Sequence, residues 1–186
     1  MAKSVRLKTK GRAVALIVGV ALLAVPAHAQ VGPIEDSPRP PCNETQAPDV
    51  VAAWGLPAVA AQSGHDAQEA HAHPLVLARP NKVILVTGAS AHLPVPQGGA
   101  EQPKQYIYVG LAAFQVPEDK TYRVVTDEGM RIDVVAGGKL VESTAFGRGP
   151  HCSGKFVDFP LHAGEAMLQL VGAPYETVTV LILPRL

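Results

Sequence analysis

GRGPHCSGKFVDFPLHAGEAMLQLVG, residues 147–172, is the stretch whose reading decides the fold. A Gly/Pro-rich turn holding Cys152 leads into the short run Lys155–Leu161. A Gly-centred turn, His162–Glu165, then separates it from a second run, Ala166–Val171. Two short apolar runs joined by a glycine-containing turn predict a β-hairpin. A cysteine-bearing loop feeding paired strands predicts an exported all-β domain stapled at one point.

Outward from this stretch the same grammar repeats. Downstream, Glu176–Leu183 (ETVTVLIL) is nearly continuous in apolar or β-branched residues, which predicts a central strand. Upstream, Met130–Val135 puts Met130, Ile132 and Val134 on one face and Arg131 and Asp133 on the other, the alternation of a half-buried strand. Asp127-Glu128-Gly129 reads as a three-residue hairpin loop with Gly129 in the left-handed position. Gly137-Gly138 predicts a tight turn into Lys139–Ala145. Pro117–Lys120 predicts a type I turn between Gln105–Val116 and Thr121–Thr126. Leu75–Ala78 and Lys82–Thr87 flank Arg79-Pro80-Asn81, and Leu75–Ala78 reads as an edge strand blunted by Pro74 and Pro80. Eight or nine strands at short, regular spacing predict an all-β fold, an antiparallel β-sandwich or jelly-roll. Asp49–Trp54, stopped by Gly55 and Pro57, predicts a short N-terminal helix.

The first 29 residues have a different composition. Lys3, Arg6, Lys8, Lys10 and Arg12 precede the apolar run Ala13–Val25, and Ala27-His28-Ala29 offers small residues at −3 and −1 of a cut between Ala29 and Gln30. This is the three-part pattern of a secretory signal peptide, which places the mature protein in the periplasm or outside the cell. Residues 30–48 are Pro-rich and polar and predict an extended linker. Residues 49–186 then form a single β-sandwich domain. Of 16 basic and 16 acidic residues, five bases leave with the signal peptide, so the mature chain carries 11 against 16 and a formal charge of −5. That balance excludes the electrostatic footprint of a nucleic-acid binder and a polybasic membrane-surface role. No later segment is long and apolar enough for a membrane span. Cys42 and Cys152 are the two cysteines, and export predicts a disulfide between them. They stand 110 positions apart. A loop of that size corresponds to about 4–5 kcal/mol in the chain-entropy picture.

Residues 63–74 (SGHDAQEAHAHP) hold the densest group of metal-ligating side chains. On a strand, His71 and His73 would share a face, and with His65 they would suit copper, zinc or nickel. The same residues also suit a solvated loop or a short helix capped by Ser63 or Asp66. Trp54 is expected to pack against the sandwich edge. Ser153 lacks the G-x-S-x-G elbow because His151 stands where glycine is needed. Asp133, Glu142, Asp158 and Glu165 sit where exposed strand or turn charges would sit, so no carboxylate pair is singled out. The residues predict no catalytic role.

The run FQVPEDKTYRVVTDEGMRIDVV (114–135), the turn GRGPHCSG (147–154) and KFVDFPLHAGEAMLQLVG (155–172) resemble a group of small exported proteobacterial proteins of unassigned function. More distantly, the order strand, glycine turn, strand is similar to pre-peptidase C-terminal (PPC-type) β-sandwich domains. The resemblance covers about Gly110–Leu183 and implies an exported sandwich acting as a non-catalytic binding or accessory module. The first group tends to carry His where this chain has Arg148, so the resemblance implies no metal site at that turn. Two functions follow as expectations. One is capture of a partner protein, glycan or small ligand through loops bearing Arg148, His151 and His92. The alternative is metal handling through His65, His71 and His73.

Overall fold

Among the described residues strand propensity prevails, and the two α-helices form where Ala-containing segments lie across a sheet. The computed structural model describes residues 48–95, 107–149 and 154–185. The expected signal peptide and its cut before Gln30, the expected linker as far as residue 47, the expected Cys42–Cys152 disulfide and His151 lie outside the described residues. In chain order the elements are α1 (Pro48–Trp54), β1 (Val59–Gln62), α2 (Ala67–Ala72), β2 (Asn81–Ile84), β3 (Val86–Thr87), a 3₁₀ turn (Gly88–Ser90) and β4 (Tyr108–Val116). There follow β5 (Lys120–Thr126), β6 (Arg131–Ala136), β7 (Lys139–Leu140), β8 (Ala145–Arg148), β9 (Lys155–Leu161), β10 (Gly164–Ala173) and β11 (Thr177–Pro184). Sheet A has the order β1-β2-β11-β5-β9-β8, and sheet B has β3-β4-β10-β6-β7.

The fold is an all-β sandwich. Its core lies between the sheets, where Val124 and Tyr122 of β5, Val157 and Phe159 of β9, and Val180 and Ile182 of β11 meet Phe114 of β4 and Leu168 of β10. Each outer face is also partly covered. Val50, Ala53 and Trp54 of α1 pack on Val125, Leu181 and Leu183 of sheet A. Ala67 and Ala70 of α2, with Leu93 and Val95, pack on Leu111, Val135 and Met167 of sheet B. The core on one side and α1 on the other explain why β11 is apolar on both faces, as its near-continuous run predicts, and Trp54 packs over β5 and β11 on the face of sheet A instead of at the sandwich edge.

The hairpin reading of residues 147–172 is corrected. β9 pairs with β5 and β8, whereas β10 pairs with β4 and β6, so the turn between them carries the chain from sheet A to sheet B. Val157 and Phe159 then face Leu168 and Leu170 across the core instead of lying beside them. Alternation specifies which side chains turn inward and is identical for a hairpin and for such an arch. Asp119, in the neighbouring β4–β5 arch, fastens this turn: its Oδ1 accepts from the Ala163 amide at 2.7 Å and its Oδ2 lies 2.9 Å from His162 Nδ1.

The Asp127–Gly129 connection is likewise an arch, between β5 and β6, and Gly129 is not among the glycines with positive φ. Gly137 and Gly138 do close a two-residue hairpin, at φ 55° and 75°, as their pairing predicts. Leu75–Ala78 is not a strand. The Asn81 carboxamide ties the Val76 amide and the Val76 and Arg79 carbonyls into a compact loop. There are eleven strands among the described residues, and one pair, β1 with β2, is parallel. The antiparallel expectation holds for the other pairs. Among the described residues, no helix is long and apolar enough to cross a membrane.

Candidate functional site

β1 is short and small: Val-Ala-Ala-Gln between Pro57-Ala58 and Ser63. Among the described residues it pairs with β2 alone and forms one end of sheet A. The Val59 amide donates to the Pro80 carbonyl at 2.8 Å, and the Ser63 amide to the Ile84 carbonyl at 2.9 Å. Because successive backbone groups alternate sides, Ala60 and Gln62 turn their amides and carbonyls away from β2, toward the open flank. Their side chains are exposed on the outer face, in register with Lys82 and Ile84. Val59 and Ala61 point inward, and Ala61 packs against the core.

A parallel partner requires a crossover, and α2 lies within it. The chain leaves β1, bridges β4 at Gly64↔Leu111, passes through α2 over sheet B, and returns past Leu75, whose amide donates to the Ala113 carbonyl at 2.8 Å. Gly64 is needed for this close passage, since a Cβ there would lie 2.8 Å from the Asp66 carbonyl oxygen. Asp66 caps the helix by accepting from the Glu69 amide at 3.0 Å. Glu69 reaches back to the His65 amide at 3.0 Å and ring at 2.7 Å, and the amide bond foremost, then the ring, holds its carboxyl below the usual range. His71 Nδ1 lies 3.1 Å from Glu165 of β10 and pins the helix to sheet B. α2 stops at Ala72 because Pro74 disfavours helical geometry at His73.

The result is a cleft of about 460 Å³ on the flank of the sandwich. One wall is Val59–Gln62, the other is Ala72, His73 and Pro74, and Asn81 and Ile84 complete it. Its volume falls within the range of ligand sites, about 300–1,000 Å³.

The three histidines read as metal ligands are not brought together. Residues 67–72 are helical, so His71 and the following His73 diverge instead of sharing the face a strand would give them. His65 engages Glu69, His71 engages Glu165, and His73 lines the cleft. Among the described residues, no three His, Cys, Asp or Glu side chains are grouped to hold a metal ion. Arg148 stands at the end of β8, opposite Lys155 on the far edge of sheet A. His92 follows the 3₁₀ turn over sheet B, its amide donating to the His65 carbonyl at 2.7 Å, with Leu93 packed below. Arg148 and His92 therefore belong to different sheets and do not form one loop cluster.

The most tightly coupled charges lie on the outer face of sheet A and correct the reading of Asp158 as exposed. Arg123 Nε and Nη2 donate to the two carboxylate oxygens of Asp158 at 2.7 and 2.9 Å, and Arg185 Nη1 adds a third bond at 2.7 Å. The Arg123 guanidinium also stacks 3.8 Å above the Phe156 ring. Burial pushes the Asp158 carboxyl up, but the bonds from Arg123 and then Arg185 hold it below the ordinary carboxylate range. Two guanidiniums on one buried carboxylate tie β5, β9 and the end of β11 together.

β1 went unrecognised in the sequence, although it supplies one wall of the cleft. Its signal is faint: an apolar-small-small-polar run of four residues, poor in the β-branched and aromatic types that mark strands. No protein-family model matches the chain, and no curated protein sequence is significantly similar to it.

Proposed function

We propose that the protein is an exported, non-catalytic binding module that holds a partner in the cleft beside β1. The observation that carries this reading is the cleft: about 460 Å³, walled by a sheet edge and by Ala72–Pro74. Small apolar side chains make up most of its lining, and Gln62 and His73 offer polar groups that would orient a ligand. Export rests on the basic head, apolar run and A-x-A site of the first 29 residues. An accessory role also agrees with the resemblance to PPC-type sandwich domains.

The test is amide chemical-shift mapping of the mature protein against a panel of unstructured peptides, oligosaccharides and small metabolites. The expected result is a ligand whose shifts cluster on residues 59–62, 72–74 and 84. Ala60→Trp should abolish them, since Ala60 is exposed and a large ring there fills the cleft without disturbing the core. Binding that maps elsewhere, or that survives Ala60→Trp unchanged, would refute the assignment.

A further inference from the structure

We infer that the ligand of this cleft is an extended, acidic segment of a partner polypeptide, which adds to the free edge of β1 as a further strand of sheet A. The inference rests on the reading of the cleft as the recognition site and names its ligand class. Three observations lead to it. First, the amides and carbonyls of Ala60 and Gln62 face away from β2, and among the described residues no strand pairs with that side of β1. Donors and acceptors at strand spacing are matched by another extended backbone. Val59–Gln62 carries no charge, proline or bulge, the usual devices that protect an edge; only its shortness does so.

Second, the room is that of a peptide. The Ala60, Ala61 and Ala72 side chains are small, and the wall at Ala72–Pro74 leaves a slot beside the edge. Four residues of strand span about 13 Å, which suits a short segment with modest side chains.

Third, two basic side chains stand beside β1. Lys82 is exposed in register with Ala60, whose methyl group leaves the ammonium free to lean over the edge. Arg79 sits at the start of β1 with its guanidinium on the Pro57 carbonyl at 3.0 Å. Among the described residues no carboxylate lines the cleft, so an acidic peptide side chain on the outer face would meet Lys82. The same charges disfavour a second copy of this chain, because edge-to-edge pairing would oppose Lys82 and Arg79 with their equivalents. A four-residue edge also buries far less than the roughly 1,200 Å² of a stable interface.

The test is selection from a random octapeptide phage library against the mature protein, with winners resynthesised and their affinities measured by fluorescence anisotropy. Enriched peptides should alternate apolar and acidic residues. N-methylation of the peptide at every second residue should weaken binding by about tenfold or more in one phase and little in the other, since only one set of amides faces β1. Ala60→Pro removes an outward amide while leaving the β1–β2 bonds, so it should abolish binding with the fold intact by circular dichroism. Lys82→Glu should weaken acidic peptides by about fivefold.

Enrichment of basic peptides, equal effects of N-methylation in both phases, or no peptide that depends on Ala60 would each overturn the inference. If no such peptide emerges and an oligosaccharide or small metabolite still shifts residues 59–62 and 72–74, the strand-addition idea fails and the binding-module reading stands. If nothing perturbs those residues, both fail.

Discussion

Replacing Asp158 with Asn tests whether the buried charge network anchors sheet A. The Asp158 side chain is 2% exposed and that of Arg123 is 11% exposed. Asn keeps the volume but removes the charge, and its amide group would point N–H bonds at guanidinium donors. Arg123 would then be a buried cation with no counter-charge on β9, a change that destabilises by about 3–5 kcal/mol. Arg185→Ala is the internal control. That side chain is 46% exposed, and its loss leaves the bidentate Arg123–Asp158 pair intact, so it should lower stability by only about 1 kcal/mol. Replacing the pair together, Arg123→Met with Asp158→Leu, removes both charges and should recover much of the loss. Urea unfolding of each variant reads the difference. At a slope near 2 kcal/mol/M, Asp158→Asn should lower the midpoint by about 2 M with the slope unchanged. A loss below about 1 kcal/mol for Asp158→Asn, or an equal loss for Arg185→Ala, would refute the reasoning.

Four further outcomes are expected. The folded Asp158 carboxyl titrates below its ordinary value of 3.8, so its stabilisation is whole above that pH and is lost as pH falls below it. The gap in urea midpoint between wild type and Asp158→Asn should therefore be smaller at pH 3 than at pH 6, by up to about 1 kcal/mol in stability, and an equal gap at both would contradict this. Gly154→Ala should destabilise by about 2–4 kcal/mol in thermal or urea melts, because Gly154 sits at φ 64° and a Cβ there would overlap the Thr126 carbonyl oxygen; an unchanged melt would rule that geometry out. Gly64→Ala should cost about 1–3 kcal/mol and weaken ligand binding at the cleft, since the added methyl pushes α2 away from β1; undiminished binding would show that α2 does not set the cleft wall. Intact mass spectrometry of protein recovered from the periplasm should give a chain beginning at Gln30 and lighter by two hydrogens than the dithiol, whereas a mass that includes residues 1–29 would exclude cleavage.

Local patterning made much of the fold legible. The bounds of Lys155–Leu161 and the helix ending at Trp54 coincide with their sequence signals, as does the Gly137-Gly138 hairpin. A short helix capped by Ser63 or Asp66 was among the readings that residues 63–74 left open, beside a loop and a strand, and the helix with its Asp66 cap is what forms. Each of these depends on neighbours within a few residues: inward alternation, a cap, or a glycine pair at positive φ. The histidine segment misled in its metal-binding reading because His71-x-His73 implies a shared face only on a strand, and the choice between strand and helix was settled by Ala67 and Ala70 packing on Leu111, Val135 and Met167.

Composition and period determined by themselves that this chain builds a sandwich from short strands, and which side chains turn inward. Apart from the Gly137-Gly138 hairpin, tertiary structure decided which strands are neighbours. Val157 and Leu168 alternate identically whether their strands lie side by side or face one another, because alternation records a side chain's direction and carries nothing about the partner across a backbone hydrogen bond. The same limit hid the cleft. It arises where the free edge of β1 comes beside the end of α2, and the burial of Asp158 beneath Arg123 and Arg185 arises from β5, β9 and β11 converging in space.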